Sequence, residues 1–160
     1  MTIKPGDTLP AATLHVMGAD GPQALTTDEL FKNKKVALFG LPGAYTPTCS
    51  AQHVPGFLSN AEALRDKGID SIICLSVNDA FVMSAWGKDQ GVGDDIIMAA
   101  DGSALFSKAM GLDMDLTDRG MGVRCQRFSM IVDDGVVSVL NHEPPGEFRI
   151  SSAETMLGQL

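Results

Sequence analysis

The 160-residue sequence carries a formal net charge of −8 and three cysteines. That length fits one domain, and the acidic balance argues against nucleic acid and anionic membranes as partners. Three thiols cannot complete a disulfide scaffold; at least one is free, which favours a reducing compartment, the cytoplasm.

Met1–Pro10 is polar and broken at Pro5-Gly6, unlike a signal peptide. The apolar runs fall far short of the roughly 20 residues that span a bilayer. Val36–Phe39, after Lys34-Lys35 and before Gly40, reads as a short buried strand. Leu41–Tyr45 is a loop. Thr46 then caps a helix with Pro47 in its first position. Pro55 is expected to kink or interrupt that helix, since proline lacks the backbone donor. The helical pattern resumes through Phe57, Leu58, Ala61 and Leu64 and ends at Gly68. Ile69–Val77 holds a second strand around Ile72–Leu75. Asn78-Asp79 caps a helix over Ala80–Gln90. Ile96–Ala99 is a third strand, and Asp101-Gly102 leads into a helix with Leu105, Phe106, Ala109 and Met110. Phe128–Val132 and Val136–Leu140 flank Asp133-Asp134-Gly135 as a hairpin. Ser152–Leu160 is a terminal helix.

This order implies parallel strands joined by right-handed crossovers, with antiparallel strands added by the hairpin. The fold class is α/β with a thioredoxin-like arrangement: a mixed central sheet flanked by helices, an inserted strand and helix, and an N-terminal extension. Sites in such sheets lie beyond the carboxyl ends of the strands, and Cys49 falls there.

The thiolate is the reactive form of cysteine, and the first turn of a helix favours negative charge through its unpaired amides and dipole. Thr46-Pro47-Thr48-Cys49 places a sulfur in such a turn. The residue three before Cys49 is Thr46 rather than a second cysteine, so no CxxC couple exists. Read from the helix start alone, Cys49 is equally a reactive thiol or a buried structural one.

Further residues narrow that choice. The segment Pro42-Gly43-Ala44-Tyr45-Thr46-Pro47-Thr48-Cys49, continued by Ser50 and by His53-Val54-Pro55-Gly56-Phe57, resembles the active-site segment of the peroxiredoxins. The similarity is to the atypical group that includes mammalian peroxiredoxin five and the plant type-two enzymes. Cys74–Phe81, Ala85-Trp86-Gly87 and Arg127-Phe128-Ser129-Met130 extend it, and it runs from about Leu9 to the C-terminus. The resemblance implies a peroxidatic nucleophile at Cys49 and a peroxide-holding hydroxyl at Thr46. It implies a shielding Pro42 and a fixed positive charge at Arg127, whose forked donors suit sulfur and peroxide oxygens. Substrates would be hydrogen peroxide and alkyl hydroperoxides, reduced through a sulfenic acid at Cys49, with no metal or organic cofactor.

The stretch Gly146–Ser152, where some relatives carry a resolving cysteine, has none. Cys74 lies in an apolar strand and reads as core. Cys125, two residues before Arg127, would share a strand face with it and is taken as an incidental neighbour. The expected mechanism therefore uses one cysteine, with glutathione or glutaredoxin as reductant; thioredoxin with an internal resolving cysteine, or a non-catalytic peroxide sensor, are the alternatives. His53 is read as a supporting residue rather than a base for Cys49. Met114, Leu116 and Met121 are expected at the pocket mouth. Tyr45, Phe81 and Trp86 lie on motifs that border a dimer interface in that group, so a homodimer is expected.

Overall fold

The computed structural model describes residues 1–160. Its centre is a seven-stranded sheet. The strands are β1 (Thr13–Gly18), β2 (Gly21–Thr26), β3 (Lys35–Gly40), β4 (Ser71–Ser76), β5 (Ile97–Ala100), β8 (Phe128–Asp133) and β9 (Val136–His142), in the order β2-β1-β5-β4-β3-β8-β9. Strands β3, β4 and β5 run parallel. The β8–β9 hairpin joins antiparallel on one side, and the β1–β2 hairpin on the other. A separate small hairpin pairs β6 (Asp113–Leu116) with β7 (Gly122–Cys125).

The helices are α1 (Thr27–Phe31), α2 (Val54–Ser59), α3 (Ala61–Asp66), α4 (Ala80–Gln90), α5 (Leu105–Ala109) and α6 (Ala153–Leu157). The central strands are buried on both faces, which explains their unbroken apolar runs. Alternation divides the side chains between two cores. Ala37, Phe39, Ile72 and Cys74 face a core closed by Phe57, Leu64, Met83, Trp86 and Met156. Val36, Leu38, Ile73 and Leu75 face the other, closed by Phe31, Phe106 and Met110.

Two hairpins lie outside the elements read from sequence. In β1 only Leu14 is fully buried, so no apolar alternation marks this edge. The β6–β7 pair is likewise mostly half-exposed. The helix after β3 also departs from expectation. Pro47 starts it, and Ser50 donates its amide to the Thr46 carbonyl at 3.0 Å. Cys49–His53 is then a π-helical turn, with the Val54 amide bonded to the Cys49 carbonyl five residues back. This wide turn lets Pro55 enter the first turn of α2 without stopping the helix. The break comes instead at Asn60.

Candidate active site

The loop after β3 is held from three sides. Ala44 donates its amide to Asn78 Oδ1 at 3.0 Å, and Ser76 Oγ donates to the same oxygen at 2.6 Å. Tyr45, at φ 65°, donates its hydroxyl to Asp89 Oδ2 at 2.6 Å. Gly43 sits so close to Arg124 that a Cβ there would lie 3.0 Å from Nη1. Thr46 donates its hydroxyl back to the Gly43 carbonyl at 2.7 Å. The expected side-chain cap is therefore spent on tightening the loop, and the hydroxyl's lone pairs remain as acceptors. Trp86 Nε1 donates to Ser50 Oγ at 3.0 Å and pins the helix beside Cys49.

Cys49 is fully buried. Arg127, in the short link between β7 and β8, donates from Nη2 to Cys49 Sγ at 3.1 Å. Its Nη1 lies 2.8 Å from His53 Nδ1, and His53 Nε2 lies 3.0 Å from the Ser151 carbonyl. A carbonyl only accepts, so Nε2 carries the hydrogen, and Nδ1 must then accept from Arg127, which has no acceptor. His53 is a neutral imidazole here. Burial first, and the Arg127 charge second, push its pKa down to about 3, against a smaller upward effect of the Ser151 bond. The ring packs among Phe39, Phe57 and Phe148, and the guanidinium lies 5.7 Å from the Phe148 ring centre.

A cavity of about 240 Å³ opens beside this centre, lined among others by Pro42, Thr48, Met114, Arg127 and Glu143. Arg127 belongs both to the cavity wall and to the sulfur's bonding partners. Of the four residues expected at the site, Cys49 and Arg127 are in contact, Pro42 lines the cavity, and Thr46 lies one turn before Cys49, bonded to Gly43. Such an arrangement can stabilise negative charge on sulfur and on an oxygen leaving beside it. Met114 lines the cavity as expected; Leu116 and Met121 close the far turn of their hairpin instead.

The other thiols are placed differently. Cys74 is buried on β4 in the same core as Cys49. Burial raises its pKa well above the ordinary thiol value; the nearby cysteines add to the rise and Arg127 opposes it. Cys125 ends β7, and the strand does not continue to Arg127, so the expected shared face is lost. It packs in the opposite core, donates to the Gln126 carbonyl at 3.2 Å, and burial pushes its pKa up to about 12. Trp86 is wholly buried beside the exposed Tyr45, and Phe81 is exposed.

Sequence reasoning gave His53 no part in orienting Arg127, and it passed over Glu143, Phe148 and Ser151. Glu143 Oε2 accepts from the amides of Arg149, Ile150 and Ser151 and from Ser151 Oγ. Burial opposes its charge, but these bonds outweigh it and hold the carboxyl below its ordinary pKa. The proximity of His53 to Cys49 in sequence was the only signal available for this network. No helix is long and apolar enough to cross a membrane.

The redoxin family profile matches residues 4–157. Peroxiredoxin-2B of Arabidopsis thaliana is 48% identical over 156 residues, covering 97% of this chain and 96% of that protein. The reduced Prx3 of Vibrio vulnificus, crystallised in complex with hydrogen peroxide, superposes with a TM-score of 0.95 at 50% identity, covering 99% of each chain. The Plasmodium falciparum antioxidant protein, a 1-Cys peroxiredoxin, matches with a TM-score of 0.87 at 28% identity, covering 96% of each chain. By fold, by site and by these likenesses, the chain belongs to the redoxin family, and within it to the peroxiredoxin peroxidases of the plant type-two and peroxiredoxin-five group.

Proposed function

We propose that the chain reduces hydrogen peroxide and organic hydroperoxides with Cys49 as nucleophile, and that it does so by a one-cysteine mechanism. The observation that carries this reading is the 3.1 Å contact from Arg127 Nη2 to Cys49 Sγ, with Arg127 itself held by a neutral His53. The thiolate attacks one peroxide oxygen. An S–O bond forms as the O–O bond breaks, and the second oxygen leaves as water or an alcohol after taking up a proton. Cys49 becomes a sulfenic acid. Arg127 stays charged throughout and can follow the negative charge from sulfur to the departing oxygen. Thr46 offers its hydroxyl lone pairs to the peroxide, and Pro42 narrows water access from the cavity. The Vibrio relative, crystallised reduced and with hydrogen peroxide, supports the choice of substrate.

The sulfenic acid then condenses with one glutathione, releasing water. A second glutathione frees the Cys49 thiol and leaves oxidised glutathione, or a glutaredoxin thiol takes the glutathionyl group from Cys49 and passes it to a further glutathione with the same product. Burial of Cys74 and Cys125, whose pKa values are raised, and the lack of cysteine in Gly146–Ser152 support an external reductant. Three free thiols fit a reducing compartment such as the cytoplasm. Exposed Tyr45, Phe81 and Leu105 support a homodimer, to be read by sedimentation of the reduced chain.

The test is the intact mass after one equivalent of hydrogen peroxide with a sulfenic-acid trap and no added thiol. A trapped adduct at Cys49 is expected. Loss of two hydrogens, with Cys49 bridged to Cys74 or Cys125, would establish an internal resolving cysteine and favour thioredoxin as the reductant.

A further inference from the structure

We propose that Glu143 is a positioning residue for the Cys49 centre, setting Arg127 on the sulfur through Ser151 and His53. The inference rests on the peroxidase reading for its purpose, but not for its geometry. The amides of Arg149, Ile150 and Ser151 donate to Glu143 Oε2 at 2.7, 2.8 and 2.8 Å, and Ser151 Oγ donates to it at 2.8 Å. Three consecutive amides gathered on one oxygen fix the path of this segment, and with it the Ser151 carbonyl. That carbonyl accepts from His53 Nε2 at 3.0 Å, His53 Nδ1 accepts from Arg127 at 2.8 Å, and Arg127 donates to Cys49 Sγ at 3.1 Å. Each link has a single allowed polarity, because the carbonyl only accepts and the guanidinium only donates.

A second route joins the same residues. The Glu143 amide donates to the Arg127 carbonyl at 3.0 Å, so Glu143 holds Arg127 by its backbone as well as through its side chain. The other carboxylate oxygen, Oε1, is buried without a partner. A carboxylate makes charge-assisted bonds, stronger than those of an amide, and rigidity of the Ser151 carbonyl is what the relay requires.

The experiment is a double-mutant cycle on the full-length reduced chain. Two rates are read: alkylation of Cys49 by iodoacetamide, mapped by peptide mass, and single-turnover reaction with hydrogen peroxide. Glu143→Ala is expected to slow both by about ten-fold, whereas in a His53→Leu background it should slow them by less than about two-fold, since the relay is already cut. Glu143→Gln should recover part of the loss, and it replaces Glu143→Ala in the same cycle if the alanine variant does not fold. Equal losses from the Glu143 substitution in both backgrounds would overturn the relay. Alkylation involves no peroxide, so the two readings separate. A coupled cycle in a chain that leaves peroxide intact refutes the peroxidase reading alone. An additive cycle in a chain that consumes peroxide refutes the relay alone.

Discussion

Gly40 ends β3 directly opposite Phe128, and the two residues are register partners across the β3–β8 ladder. A Cβ at position 40 would lie 2.2 Å from Phe128 Cε1, 2.8 Å from Cζ and 2.9 Å from Cδ1. Ordinary carbon contacts lie at about 3.5–4.0 Å, so in Gly40→Ala the ring must retreat by more than about 1 Å. Phe128 is fully buried in the second core, so its ring can retreat only by displacing packed neighbours. Overpacking of this kind costs about 1–3 kcal/mol. The ring also adjoins Arg127 along the chain, so the shift reaches the 3.1 Å contact with Cys49. Urea unfolding should show the stability loss without change in slope. The single-turnover rate with hydrogen peroxide, followed through the sole tryptophan, Trp86, should fall by about ten-fold or more, as for other displaced catalytic groups. Adding Phe128→Leu should restore part of the stability by removing the ring edge. A Gly40→Ala chain with parental stability and rate would refute the reasoning.

Arg127→Ala should slow peroxide attack by about 10²-fold, the usual loss when one donor to a developing charge is removed; Arg127→Lys should recover little of it, because one ammonium cannot reproduce the forked contact to both Sγ and His53. An unchanged attack rate would remove Arg127 from the chemistry. His53 binds its proton near pH 3 in the native chain, against an ordinary 6.5 when unfolded. Between those values the unfolded chain binds more protons, so stability falls as pH drops from about 6.5, by up to about 1.4 kcal/mol per unit. His53→Leu should flatten that acid limb in urea titrations between pH 6.5 and 4; an identical limb in the variant would show that His53 does not carry it. Cys49→Ser should abolish peroxide consumption, while Cys74→Ser and Cys125→Ser retain most of it with glutathione and glutaredoxin supplied. A Cys125→Ser chain that forms the sulfenic acid yet is inactive with every reductant supplied would refute the one-cysteine mechanism.

The parts of the fold legible in sequence are those where burial is two-sided or capping is local. Strands β3 and β4 announce themselves as apolar runs because helices cover both faces. Helix α4 runs over Ala80–Gln90 as expected, with Asp79 Oδ1 accepting from the Val82 amide and Gly91 ending it at φ 70°. The β1–β2 hairpin was hidden because an exposed edge needs few apolar residues. The π turn was hidden because a 3.6-residue template has no place for it. At the site, Cys49, Thr46 and Pro42 were legible from one contiguous segment and Arg127 from a second. What escaped was the network: His53 meets Arg127 across 74 residues and Ser151 across 98, distances over which periodicity carries no signal.

The wide turn at Cys49–His53 has a consequence for how this helix tolerates change. A π turn amounts to one residue inserted into an α-helix, so the helix contains its own spare residue. Deleting one residue between Ser50 and Gln52 would leave a continuous α-helix. The Cys49 carbonyl and the Val54 amide, now five residues apart, would then be four apart and still bonded, so both flanks would keep nearly the same phase about the axis. The sulfur would stay facing the guanidinium while α2 stayed seated on the sheet. The wide turn thus takes up a residue between the thiol and α2 without altering the angular setting of either.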